Sequence, residues 1–153
     1  MPTKRILALD IGTVRIGVAI SSLEGGIALP LETIHLKTTP DPIAVIQELL
    51  TKENIHHVVV GLPLDLDGTH GSAVRRTKQF VSAMTARIPN IKIYAQDERF
   101  TSAVAENTLM QLETKGEKKK MLVDSMAASL ILQTWLDKRK SAPTSNENQE
   151  KED

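Results

Sequence analysis

Residues 5–21 read RILALDIGTVRIGVAIS. Two apolar runs, Arg5–Ile11 and Ile16–Ile20, are separated by Gly12-Thr13-Val14-Arg15. Short runs broken in this way read as two buried strands joined by a tight turn. In the first run Ile6, Ala8 and Asp10 share one face. A carboxylate on a strand that otherwise reads as central sheet costs several kcal/mol unless a positive or hydrogen-bonding group offsets it. The plainer reading of Asp10 is a strand-end acid accepting N–H bonds from Gly12 or Thr13.

Working outward, Ile27–His35 alternates loosely and is expected to be a third strand. Asp41 opens a helix to about Lys52, with Pro42 at a permitted first-turn position. His57–Leu62 is an apolar strand, followed by a polar loop (Leu64–Gly71) and a helix over Ser72–Arg87. Ile91–Ala95 is a fifth strand, Thr101–Glu113 a helix with Thr101 as its N-cap, and Met121–Lys138 a long last helix. Strands joined through a helix pair in parallel. The expected fold is therefore α/β: a five-stranded mixed sheet, three antiparallel strands then two parallel, with helices on both faces.

The 153 residues favour one domain, and 41% hydrophobic content is enough to bury one core. The absence of Cys excludes disulfides, thiolate zinc sites and a cysteine nucleophile. Asp10 interrupts the first apolar run too early for a signal peptide, and no stretch approaches the roughly 20 apolar residues of a membrane span. A soluble, cytoplasmic protein is expected. The 19 basic and 19 acidic residues cancel, but unevenly. Residues 141–153 (SAPTSNENQEKED) carry a net −3, leaving +3 on residues 1–140. With only Ala142 and Pro143 as apolar residues, that acidic tail is expected to be disordered beside a folded domain at 1–140. Aromatics at 3% disfavour base-stacking platforms, so contact with nucleic acid should run through phosphates.

Two further acids sit where acids are unexpected. At about 100° per residue, Ala127, Ala128, Ile131 and Trp135 fall within about 60° of Asp124, while Ser129, Gln133 and Asp137 lie opposite. Asp124 thus stands on the apolar stripe, and such breaks of pattern tend to mark functional sites. On the expected boundaries it lies in the first turn, where the helix dipole offers a plainer reason. Gln96-Asp97-Glu98-Arg99 follows strand five, at the strand ends where ligands of open α/β sheets gather. Alternation lets one of Asp97 and Glu98 point into a site. Asp10, Glu98 and Asp124 together would suit hard cations, Mg²⁺ or Mn²⁺. Two such ions about 4 Å apart activate a water and stabilise the leaving oxygen of a phosphodiester. Arg75, Arg76 and Lys78 on a helix, and Lys115, Lys118, Lys119 and Lys120 before the last helix, are candidate phosphate contacts, with Arg15 and Arg99 beside them. A solvated face is the plainer reading of each charge run.

Four segments in order resemble the YqgF (RuvX) family of pre-16S rRNA nucleases: ALDIGTVRIGVAIS at 8–21, VGLPLDLDGT at 60–69, DERFT at 97–101 and VDSMAA at 123–128. The similarity covers about residues 4–138. It implies an RNase H-like fold related to Holliday junction resolvases and metal-dependent trimming of the 5′ end of the small-subunit rRNA precursor. By motif, Asp10, Glu98 and Asp124 resemble the catalytic metal-binding acids, with Asp97 the rival for the middle place. Val14, Ser21-Ser22 and Asp65 depart from residues common in the family. The place of a fourth acid seen in related sites is taken by Ala127 or Ala128. Pre-rRNA, in a ribosome precursor, is the expected partner ahead of branched DNA. The alternatives are a Holliday junction resolvase in recombination and repair, and a non-catalytic RNA-binding factor of ribosome biogenesis. A sugar-kinase-like phosphotransferase shares an Asp-x-Gly-Thr turn but needs two such domains, and 153 residues supply one.

Overall fold

The computed structural model of the chain describes residues 5–63, 71–97 and 116–140, the last segment by backbone alone outside 126–139. The apolar run that opens the sequence becomes strand β1 (Ile6–Ile11), and it returns as β2 (Arg15–Ser21) antiparallel to it. The turn between them is closed by Gly12 N–H donating to the Arg15 carbonyl at 2.9 Å. A Cβ at position 12 would sit 2.7 Å from that oxygen, so the turn accepts only glycine. At the other end of the pair, the buried Ser21 hydroxyl accepts from Ile6 N–H at 2.8 Å. Arg5 donates to the Ser21 carbonyl at 3.0 Å and pairs with Glu53 at 2.7 Å.

The expected third strand is two short ones. β3 (Ala28–Pro30) and β4 (Ile34–His35) both pair antiparallel with β2, at Ala19–Ser21 and at Arg15–Ile16 respectively. Pro30 has no N–H to continue a ladder. Leu31 N–H makes one more bond to the Val18 carbonyl, at 2.8 Å, before the chain leaves the strand. Helix α1 (Pro42–Glu53) starts where Asp41 accepts from Ala44 N–H at 3.2 Å and ends at Asn54, whose φ of 54° is left-handed. β5 (His57–Leu62) then lies parallel to β1, α2 (Ser72–Arg87) crosses over, and β6 (Lys92–Asp97) lies parallel to β5. The sheet order is β3-β2-β1-β5-β6, with β4 also on β2. Three antiparallel strands and two further parallel ones are as expected, and β4 is the addition. The expected helix over 101–113 and the Asp-Gly turn at 67–68 lie outside the described residues.

Alternation along the strands divides the core into two layers. Leu7, Leu9, Ile16, Val18, Val58 and Val60 pack with Ile43, Ile46 and Leu50 of α1 and Met84 of α2. Ile6, Ala8, Ala19 and Val59 pack on the opposite face against Ala128, Ile131, Leu132, Trp135 and Leu136 of α3 (Gly116–Lys140). Each fully buried Leu or Ile contributes about 1.5–3 kcal/mol. Small residues at 8, 19 and 128 let α3 lie close to the sheet. Gln133 clasps that helix to the β2–β3 hairpin: its Oε1 accepts from Ala28 N–H at 2.9 Å, and its Nε2 donates to the Gly26 carbonyl at 3.2 Å and to Asp137 at 3.0 Å. Beside it, Tyr94 and Trp135 rings stand 5.0 Å apart, Arg139 covers Trp135 at 4.5 Å, and His57 Nδ1 lies 3.0 Å from the Tyr94 hydroxyl. The clasp sits at the start of β1, so α3 read backwards from Gln133 to Ala128 moves toward the end of β1 that carries Asp10.

Candidate active site

β1, β5 and β6 all end at one edge of the sheet, and Asp10 stands there, one residue before the end of β1. It shares the face of Ile6 and Ala8, which is the face α3 covers. Its partner across β2 is Gly17. Across β5 the register Leu9↔Val60 brings Gly61 beside it in the next row, and Gly61 in turn pairs with Gln96 of β6. Half-buried Asp10 therefore has a glycine on each side, and among the described residues Gly17 and Gly61 wall it as a trough by adding no side chain on this face. Gln96 closes the far end; it is 6% exposed and its Nε2 donates to the Asp97 carbonyl at 3.2 Å. The sequence shows Gly17 and Gly61 only as isolated glycines in strand patterns, the sign of a close approach. Gln96 is marked in the sequence only as the first residue of the polar segment that follows the apolar part of the fifth strand.

The same register places one of the rival acids, Asp97. Tyr94 pairs with Val59 and packs on the α3 side, whereas Ile93 packs on the α1/α2 side. Asp97, an even number of residues from Ile93, belongs to the α1/α2 side, opposite to Asp10. Glu98 and Arg99 lie outside the described residues. Position 124 is described by backbone only. It lies about 6 Å along the axis before Ala128, in the direction of Asp10.

Two expectations about this helix are corrected. α3 starts at Gly116, so Asp124 is in the third turn and a dipole effect confined to the first turn no longer accounts for it. Lys118, Lys119 and Lys120 belong to α3 and do not precede it. Glu and Lys are good helix formers, and an apolar-periodicity reading is blind to a charged first turn.

The basic candidates fall on several elements. Arg15 opens β2 beside the Gly12 turn, at the Asp10 edge, opposite His35 of β4. Arg75 and Arg76 lie in the first two turns of α2, which begins after the end of β5 and packs on the other sheet face. A groove of about 590 Å³ between α1 and β4, lined by Leu31, Glu32, His35, Glu48 and Lys52, contains none of the predicted site residues.

Among the described residues no group of three His, Asp or Glu is assembled for a metal, and no helix is long and apolar enough to cross a membrane. What the described part offers is the carboxylate of Asp10, a hard oxygen donor between two glycines. That donor set fits Mg²⁺ or Mn²⁺ and not a soft metal.

Known proteins carry the same framework. The chain is 42% identical over 138 residues to a protein of Fusobacterium nucleatum named "Putative pre-16S rRNA nuclease", covering 90% of this chain and 99% of that one. A protein of the same name from a Sulfurihydrogenibium species is 46% identical over 135 residues, covering 88% and 90%. Among solved structures, Thermus thermophilus RuvC in complex with a Holliday junction substrate superimposes with a TM-score of 0.55 at 14% identity, covering 91% of this chain and 97% of that one. The yeast mitochondrial Holliday junction resolvase Ydc2 gives 0.54 at 13%, covering 88% and 78%. These two likenesses establish a shared resolvase-type fold. The family model described as RuvX, Holliday junction resolvase, matches residues 4–138, and with relatives above 40% identity along almost their whole length the chain belongs to the RuvX family.

Proposed function

We propose that the protein is a cytoplasmic, metal-dependent endonuclease that hydrolyses phosphodiester bonds in 5′-end maturation of pre-16S rRNA. The observation that carries this is the carboxylate of Asp10 in a glycine-walled trough, on the sheet face covered by the helix that holds Asp124. Curated relatives named for pre-16S rRNA cleavage support the substrate. Asp10, Glu98 and Asp124 would hold Mg²⁺ or Mn²⁺. Bound there, the metal supplies an activated water and charge stabilisation at the leaving oxygen. The residues of this chain do the rest. Gly17 and Gly61 leave the space that a phosphodiester needs, and α3 limits water on that face. Arg15, Arg99, Lys118, Lys119 and Lys120 hold phosphates of the backbone.

The family model's description favours a second reading, cleavage of Holliday junctions. Metal-dependent cleavage of a pre-16S 5′ fragment and of a four-way DNA junction, run side by side, separates the two. Asp10→Asn and Asp124→Asn are each expected to lower cleavage by at least about a thousandfold while the circular dichroism spectrum is kept. Chelation should abolish wild-type cleavage. If Asp10→Asn cuts as well as wild type, or supports rRNA maturation in cells, the enzymatic reading fails and a non-catalytic RNA-binding platform takes its place.

A further inference from the structure

The sequence of α2 from Ser72 to Arg87 contains four cations and no acid. Arg87 is paired with Asp41 at 2.7 and 2.8 Å. The side chains of Arg75, Arg76 and Lys78 make no hydrogen bond or ion pair among the described residues. The three are not alike. Arg75 is exposed, as a solvated helix cation usually is, whereas Arg76 is half-buried and its Nε is enclosed by protein with no acceptor. A desolvated donor on a charged group is unfavourable to leave unpaired, and native structures hold few of them. The Nε and one Nη of a guanidinium form a planar two-donor edge that matches two oxygens of a phosphate. Arg76 as a whole is only half-buried, so a swing of its terminal bonds would present that edge to an anion and relieve the unpaired donor.

Its position in the fold names the anion. α2 is the crossover between the parallel strands β5 and β6, so its first turns, with Arg76, lie toward the edge of the sheet that carries Asp10 but on the α1/α2 side of it. Resting on the nucleic-acid substrate of the preceding section, we propose that Arg76 is a built seat for a backbone phosphate away from the scissile one. The strand then passes over the end of β5, from the α3 side of the sheet to the α2 side. A substrate laid only along the Asp10 face would leave Arg76 with nothing to bind.

The test is read without catalysis. Binding of a fluorescein-labelled single-stranded RNA is measured by anisotropy in EDTA across a salt series. Arg76→Gln is expected to weaken binding about tenfold and to make the slope of log K against log salt shallower by about one. Arg76→Lys keeps the charge but loses the Nε edge, so it should remain several-fold weaker than wild type, whereas Arg75→Lys should bind like wild type. Removal of a desolvated, unpaired donor makes a further prediction: Arg76→Met should melt at or above the wild-type temperature. Arg76 variants that bind within twofold of wild type, full restoration by Arg76→Lys, or a clear fall in melting temperature for Arg76→Met would each overturn the proposal. So would a wild-type protein that binds no RNA. A wild type that binds RNA through Arg76 but cleaves nothing with Mg²⁺ or Mn²⁺ would sink the nuclease reading and leave this one standing.

Discussion

At the scale of single residues, Asp10 owes its surroundings to what its neighbours lack. Gly17 and Gly61 flank it, and both do so by having no side chain. Gly61→Val would place a branched side chain in the trough while suiting a buried parallel strand. It is expected to retain the fold, by circular dichroism and calorimetry, and to lower cleavage at least about a hundredfold. Unchanged cleavage would show that the trough is not where the phosphodiester lies. Asp10 itself was legible in the sequence, because an acid in an apolar run is visible locally. Gly61 and Gln96 were not, because their nearness to Asp10 depends on the register of β1, β5 and β6. That register joins residues some 35 to 85 positions apart through long-range pairing, which no local pattern encodes. The choice between Asp97 and Glu98 was open for the same reason. The side of the sheet on which Asp97 lies follows from Tyr94, and not Ile93, packing toward α3.

Elements follow the same division. The Ser72–Arg87 and His57–Leu62 boundaries were readable to the residue, since α2 is bounded by Gly71 and Pro89 and β5 by a histidine pair and Pro63. The third strand was not, because a loose alternation gives no warning that Pro30 will break the ladder. The start of α3 was missed because its first turns are charged. Helix α1 illustrates how one terminus can serve two partners. Asp41 caps it through Ala44 and accepts from Nη1 and Nη2 of Arg87 at the end of α2. The hydrogen bonds from Arg87 hold the Asp41 carboxyl below its ordinary value of 3.8, and Asp41 in turn raises the guanidinium. A carboxyl depressed in the folded state stabilises the fold above its ordinary value and loses that contribution as pH falls through the depressed one. Both groups stand in solvent, so the effect is small. Arg87→Gln should therefore melt slightly below wild type at neutral pH, and the gap should close as acid protonates the Asp41 carboxyl below its ordinary range. A gap of constant size down to pH 2 would assign it to packing.

For the whole molecule, the sheet divides labour between its faces: among the described residues α1 and α2 bury the larger apolar layer, and α3 covers the face of Asp10. Residues 141–153 have almost nothing apolar to add to either layer. A chain ending at Lys140 is therefore expected to match the full chain in melting temperature by calorimetry, and a loss of several degrees would show that the acidic segment packs on the domain. The sole tryptophan and the sole tyrosine of the chain meet where α3 seats on the sheet, with Arg139 over the indole. Rings this close make Tyr94 a donor whose excitation passes to Trp135, so intact protein should emit almost wholly as indole. Any loosening of α3 from the sheet would let phenol emission return and shift the indole band to the red. The protein thus carries an intrinsic optical gauge of its last helix, set in the sheet row of Ala8 and Val59.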